Sequence, residues 1–269
     1  MNRVDSALYD LTCLDDLARQ STWPHRIDPR AKAVTTLVYV VVIASLPPRA
    51  VVELIPFASY PLLLMLAGQV PFRILARPLL FTLLLAGAIG IANPFLDRTS
   101  VHVAGTLWIA GGWLSLFSIL LRAVLGVAGA LALIATTGME QLSHGLARLG
   151  VPRGLVTQLL FLYRYVFLLG ANSQALVRAR DLRSNGKSLQ LSAYGSLVGH
   201  LLLRTLDRAE RIHEAMCCRG FRGDIPSGTD RRLGWPDMAF ITVWSFLFVV
   251  FRQGHWLHPI VTSVTGIAR

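Results

Sequence analysis

Two arginines carry the clearest chemical potential in this sequence: Arg180 within Ala179-Arg180-Asp181, and Arg219 within Cys218-Arg219-Gly220. Each closes a long amphipathic stretch. An arginine in the last turn of a helix complements the negative end of the dipole. It also presents a planar fork of donors that fits a carboxylate on another protein. The pair therefore reads either as two docking tips or as two solvated helix ends, and spacing alone leaves both open.

Other constellations are weaker. Gly186-Lys187-Ser188 matches the end of a phosphate-binding loop, but the glycine required five residues before Gly186 is Asp181, so this chain is not expected to bind ATP itself. His213-Glu214-Ala215-Met216-Cys217 begins like a zinc-protease helix, yet its last position is cysteine and no third ligand follows. His255 and His258 could share a metal, although histidines at a membrane boundary usually sit at the interface. Glu53 and Arg122 lie in apolar spans, where they either pair along an ion path or pack against a neighbouring helix, the second being preferred. No cofactor, catalytic group or metal site is expected.

The surroundings of these residues are those of a membrane protein. Of 269 residues 54% are hydrophobic and 15% charged, where a soluble domain carries about a quarter charged. The net charge is +11, and of 26 basic residues only Lys32 and Lys187 are lysines. Such an excess suits anionic lipid or an acidic protein partner. It argues against nucleic acid, because the arginines flank apolar spans rather than interleave with aromatics. Cys13, Cys217 and Cys218 are read as free thiols facing a reducing compartment, and no signal peptide is expected.

Five apolar spans are expected: 33–46, 51–67, 79–92, 113–137 and 238–251. Asp28-Pro29 is a helix start, with Arg30 and Lys32 snorkelling to the interface. Pro56 and Pro61 kink the second span, Arg73 and Arg77 mark a turn, and 95–111 is a short exposed connection. Lys and Arg number 21 on one side of these spans and 4 on the other. The positive-inside rule then places the N-terminus and residues 138–234 in the cytoplasm and the C-terminus outside. The expected domains are 1–137 (leader and transmembrane helices), 138–234 (cytoplasmic helices) and 235–269 (last span and C-terminus).

Within 138–234, a short helix over 139–149 ends at Gly150-Val151-Pro152. A long one follows over 152–183, with Leu155, Leu159, Leu162, Val166 and Leu169 as its apolar stripe. Asn185-Gly186 is a stop signal. A second long helix covers 192–218, with an Asp207–Arg211 pair on its surface, and ends at Gly220 and Gly223. Neither long helix is expected to span the bilayer. Both are read as lying against its inner face.

Three segments in this order resemble the CbiQ/EcfT family: Asp28-Pro29-Arg30-Ala31-Lys32; Leu162-Tyr163-Arg164-Tyr165-Val166-Phe167-Leu168 leading to Arg178-Ala179-Arg180; and Glu214-Ala215-Met216 leading to Cys218-Arg219-Gly220-Phe221. These are the transmembrane T components of energy-coupling factor (ECF) transporters. The resemblance implies an all-α polytopic membrane protein with about five transmembrane helices and a cytoplasmic pair of long crossed coupling helices. It implies docking of two cytoplasmic ATP-binding-cassette subunits through Ala179-Arg180-Asp181 and Cys218-Arg219-Gly220. It also implies a separate substrate-binding membrane (S) component as partner, the cell inner membrane as location, and cobalt as cargo, with nickel second and a vitamin third. Asp181 stands where the family has glycine and Cys218 where it has alanine, so the turn after Arg180 is the point of departure. A conventional ABC importer permease and an ion-coupled secondary carrier are the alternatives. The first usually offers one coupling segment, and the second needs intramembrane polar sites.

Overall fold

Asp28-Pro29 starts the first helix by satisfying its free amides. In a computed structural model, α1 spans Pro29–Ala44, and the Asp28 carboxylate accepts from the Arg30 amide at 2.9 Å. Pro29, which has no amide hydrogen, takes the first helical position, where none is needed. The structure describes Leu17 and residues 22–47, 51–96, 100–103, 107–183, 191–223 and 233–253.

The next helix, α2 over Val51–Ala67, is broken as its prolines require. Val51–Leu54 gives way to a 3-10 turn at Pro56–Ala58 before Ser59–Ala67, and the Ser59 hydroxyl donates to the Pro56 carbonyl at 2.7 Å. By contrast α3, Phe72–Gly90, begins before the expected turn and carries Arg77 and Pro78 inside it. Arginine is a good helix former, so it interrupts an apolar run without interrupting the helix. The Thr82 hydroxyl donates to the Pro78 carbonyl at 2.8 Å. The connection expected at 95–111 contains an antiparallel hairpin of β1, Ser100–Val103, and β2, Leu107–Ala110, with Val101 opposite Ile109.

After a single helical turn at Asn93–Leu96, the remaining longer helices are α4 (Gly111–Thr137), α5 (Met139–Arg148), α6 (Arg153–Arg183), α7 (Leu191–Cys218) and α8 (Trp235–Gln253). The protein is an all-α, polytopic membrane protein. Gly111–Thr137, Arg153–Arg180 and Trp235–Gln253 are each long and apolar enough to cross a membrane, while Val51–Ala67 and Ile74–Gly90 are apolar but shorter.

The chain divides into two compact units, Cys13–Gly145 with Arg231–Arg269, and Met1–Thr12 with Leu146–Asp230. In the first, α1, α2, α4 and α8 close around Tyr39, whose ring lies 4.7 Å from that of Tyr60 and 5.4 Å from that of Phe248. Gly129 of α4 permits this approach, because a Cβ there would stand 2.7 Å from Tyr39 Cε1. The buried hydroxyls around Tyr39 are satisfied internally, as a dry interior demands. Tyr39 donates to the Phe57 carbonyl at 3.2 Å, and the Thr36 and Tyr60 hydroxyls meet at 2.6 Å. Against α4 lies α3, which turns Leu80, Phe81, Leu84 and Ile89 outward. On a membrane protein such a surface belongs against hydrocarbon. The second unit contains α6 and α7.

Candidate functional site

The end of α7 is built by glycine. Gly220 has φ +81°, a left-handed conformation that side chains with a Cβ adopt at a cost. Its amide donates to the Cys217 carbonyl at 3.0 Å, and the Phe221 amide reaches back to the Met216 carbonyl at 3.0 Å. This paired closure satisfies the last free carbonyls of the helix. Arg219 is therefore the capping residue itself, held between two fixed turns with its side chain exposed.

At the corresponding place on α6 the glycine is missing, and the outcome differs. Ala179, Arg180 and Asp181 all lie within helix, which continues to Arg183. Without a residue that favours positive φ, nothing turns the backbone aside after Arg180. That guanidinium consequently projects from the flank of a helix, half-buried, rather than from its cap. Ala179 is exposed.

The two helices run antiparallel. The Thr157 hydroxyl, at the start of α6, donates to the Gly223 carbonyl just beyond α7 at 3.2 Å. Tyr165, Leu168, Leu169 and Asn172 of α6 face Arg204, Arg208, Ala209 and Arg211 of α7 across a cavity of about 510 Å³. Arg180 and Arg219 thus belong to opposite ends of the pair. Helix rises about 1.5 Å per residue, which puts Arg180 about 34 Å along α6 from Thr157, beside which α7 ends. The two arginines are therefore separate positions rather than one patch.

One surface expectation is corrected here. The Asp207–Arg211 ion pair does not form, because Arg211 turns towards α6 and lines the cavity. On the α6 stripe, Leu155, Leu162 and Val166 are exposed, as an apolar face expected against the membrane would be. Moreover Arg153–Arg180 has the length and apolarity to cross a membrane, against the expectation that it cannot span, since Arg164 is the one charge between Arg153 and Arg178 and the rest of that stretch is mostly apolar.

In the other unit, sequence reasoning missed a buried polar cluster joining three helix ends. Lys32 does not snorkel outward but is 1% exposed, its ammonium donating to the Thr136 carbonyl at 2.8 Å and the Thr137 hydroxyl at 3.3 Å. A cation there meets the negative end of α4. Asp237, 2% exposed, accepts from the Asp28 amide at 2.8 Å and the Gly234 amide at 2.9 Å. One carboxylate thereby caps the starts of both α1 and α8. Nearby, His25 Nδ1 lies 2.7 Å from the Thr22 hydroxyl. Desolvation by burial, helped by the Lys32 charge, holds its pKa below the ordinary 6.5. The sequence signal was present only as an Asp in the first turn of α8.

Arg122 donates to the Pro47 carbonyl beyond the end of α1 and makes no ion pair with Glu53, so it meets the segment after a neighbouring helix rather than a carboxylate. His213 and Cys217, from the failed protease pattern, face each other one turn apart on exposed helix. His255, His258 and Gly186-Lys187-Ser188 lie outside the described residues, as does the side chain of Asp181.

Residues 20–229 match the family model CbiQ, described as cobalt transport protein. The chain belongs to the CbiQ/EcfT family, the T components of ECF transporters. Among its relatives, the energy-coupling factor transporter transmembrane protein EcfT of Leuconostoc gelidum is 26% identical, over 88% of this chain and 95% of that protein. The cobalt transport protein CbiQ of Salmonella typhimurium is 28% identical over 80% and 99%. The nickel permease LarQ of Lactiplantibacillus plantarum is 30% identical over 57% of each. As a T component, this protein is a membrane subunit of a transporter, and the CbiQ/EcfT match takes in both arginine-ended helices.

Proposed function

We propose that this chain is the non-catalytic coupling subunit of an ECF-type importer, docking two cytoplasmic ATPases through Arg180 and Arg219. In this reading ATP-driven motion of the ATPases displaces α6 and α7, and a separate substrate-binding membrane subunit reorients in response. The carrying observation is the antiparallel pair, whose arginine-bearing ends lie about 34 Å apart along α6. That separation supports one tip per ATPase, because a single acidic groove would not reach both. The exposed Leu155, Leu162 and Val166 suit the inner membrane face or the substrate-binding subunit. The names of the relatives support cobalt as cargo, with nickel second. The basic excess of residues 138–234 supports a cytoplasmic location for these helices in the inner membrane protein.

The test is assembly and uptake in Arg180→Ala, Arg219→Ala and the double variant. Truncating an arginine paired with a buried carboxylate costs about 2–5 kcal/mol. Each single variant should therefore lose ATPase retention by at least an order of magnitude, and the double variant should lose transport. Wild-type assembly and transport in the double variant, or periplasmic labelling of cysteines placed at 180 and 219, overturns the reading.

A further inference from the structure

The last full turn before Arg219 carries a pair of soft donors at a defined spacing. His213 and Cys217 are one helical turn apart on α7, both exposed, with His213 Nε2 3.6 Å from Cys217 Sγ. A tetrahedral centre with metal–sulfur and metal–nitrogen lengths of about 2.3 and 2.05 Å sets its sulfur and nitrogen ligands about 3.5–3.6 Å apart. The two atoms already stand at that bite. We propose that His213 and Cys217 form a bidentate chelate for a soft or borderline divalent transition cation.

Several features favour a metal over an idle contact. Both ligands rise from the same regular helix, so the chelate needs no backbone rearrangement and little ordering beyond side-chain torsions. A thiolate with an imidazole selects zinc-like and late transition ions over magnesium or calcium, which prefer oxygen. Among the described residues no group of three or more His, Cys, Asp or Glu is placed to hold a metal, so the chain supplies these two ligands alone. The pair is thus open on its outer side, where water completes the coordination. Glu210 and Glu214 are also exposed, and at 3.6 residues per turn they share with His213 and Cys217 an arc of about 100°. Their charge favours a cation on this face without completing a three-residue site. Cys218 points about 100° away from Cys217 and is not part of the set. Binding releases the Cys217 thiol proton to solvent, so affinity rises with pH.

The experiment uses the full chain in lipid nanodiscs under reducing conditions, without ATPases, in a Cys13→Ser and Cys218→Ser background. Cobalt(II) is added and the thiolate-to-metal charge-transfer absorption is followed. One equivalent of cobalt should bind per chain, more tightly as pH rises. Cys217→Ser should abolish the band, and His213→Ala should weaken binding at least about tenfold, the loss expected when a chelate becomes a single donor. Retention of the band in Cys217→Ser, or an affinity in His213→Ala within about twofold of the parent, overturns the proposal. Because partners are absent from the assay, the chelate stands or falls independently of the docking reading.

Discussion

Replacing Asp237 by alanine should uncouple the first and last described helices of the membrane unit. The carboxylate accepts the Asp28 amide at 2.8 Å and the Gly234 amide at 2.9 Å, and both Asp28 and Asp237 are 2% exposed. Alanine leaves the buried Asp28 amide and the part-buried Gly234 amide without that acceptor, at about 1–3 kcal/mol each, or about 2–6 kcal/mol together as an upper range. Asparagine keeps one acceptor oxygen but turns an amide towards the other donor, and should lose about 1–3 kcal/mol. For a unit of this size each kcal/mol moves the midpoint by about 2–4 °C, so Asp237→Ala should melt roughly 5–20 °C below wild type, with Asp237→Asn between. Thermal unfolding in nanodiscs reads this through tryptophan fluorescence, since Trp244 packs edge-on against Tyr60 at 4.9 Å. An alanine variant melting within about 2 °C of wild type refutes the reasoning. It would mean that water reaches these amides and replaces the carboxylate without loss.

Three further outcomes are expected. Gly129→Ala should cost about 1–3 kcal/mol by forcing α4 away from the fully buried Tyr39 ring, whereas Gly126→Ala, where a Cβ meets nothing within 4 Å, should be near neutral. Equal melting of the two variants would contradict the packing argument. Gly220→Val should cost about 1–2 kcal/mol through its φ of +81° and should speed amide exchange at Phe221, read by hydrogen exchange. Finally, His25 is held neutral in the folded chain, so the unfolded chain takes up the proton first. Its contribution to stability is complete above about pH 6.5 and is lost as pH falls from there through the depressed value. His25→Gln should therefore narrow the difference in melting between about pH 7.5 and about pH 5.5.

Helix starts and stops were legible where one residue has one physical role. Asp28-Pro29 opened α1, Gly150 and Gly220 ended α5 and α7 with positive φ, and Pro56 broke α2. Arg219 beside the Gly220 stop was also legible as a local pattern, whereas the helix runs on past Arg180 to Arg183. What stayed hidden depends on distant partners. Lys32 reads as a snorkelling cation until the Thr136 carbonyl, 104 residues away, is placed against it. Asp237 is an ordinary first-turn acid until α1 arrives 209 residues removed. The stripe on α6 was correctly periodic, but periodicity identifies an apolar face without saying whether protein or lipid covers it.

The glycine at one tip and its absence at the other make the two ends mechanically unlike. Arg219 sits on a tight bend whose neighbours are pinned, while Arg180 leaves the side of a rod that carries on past it to Arg183. A push delivered at the bend is received at a fixed fulcrum, and one delivered at the rod tends to roll it about its long axis. On the proposed docking, even two identical motors pulling in step would therefore drive this subunit asymmetrically, one by thrust and the other by torque.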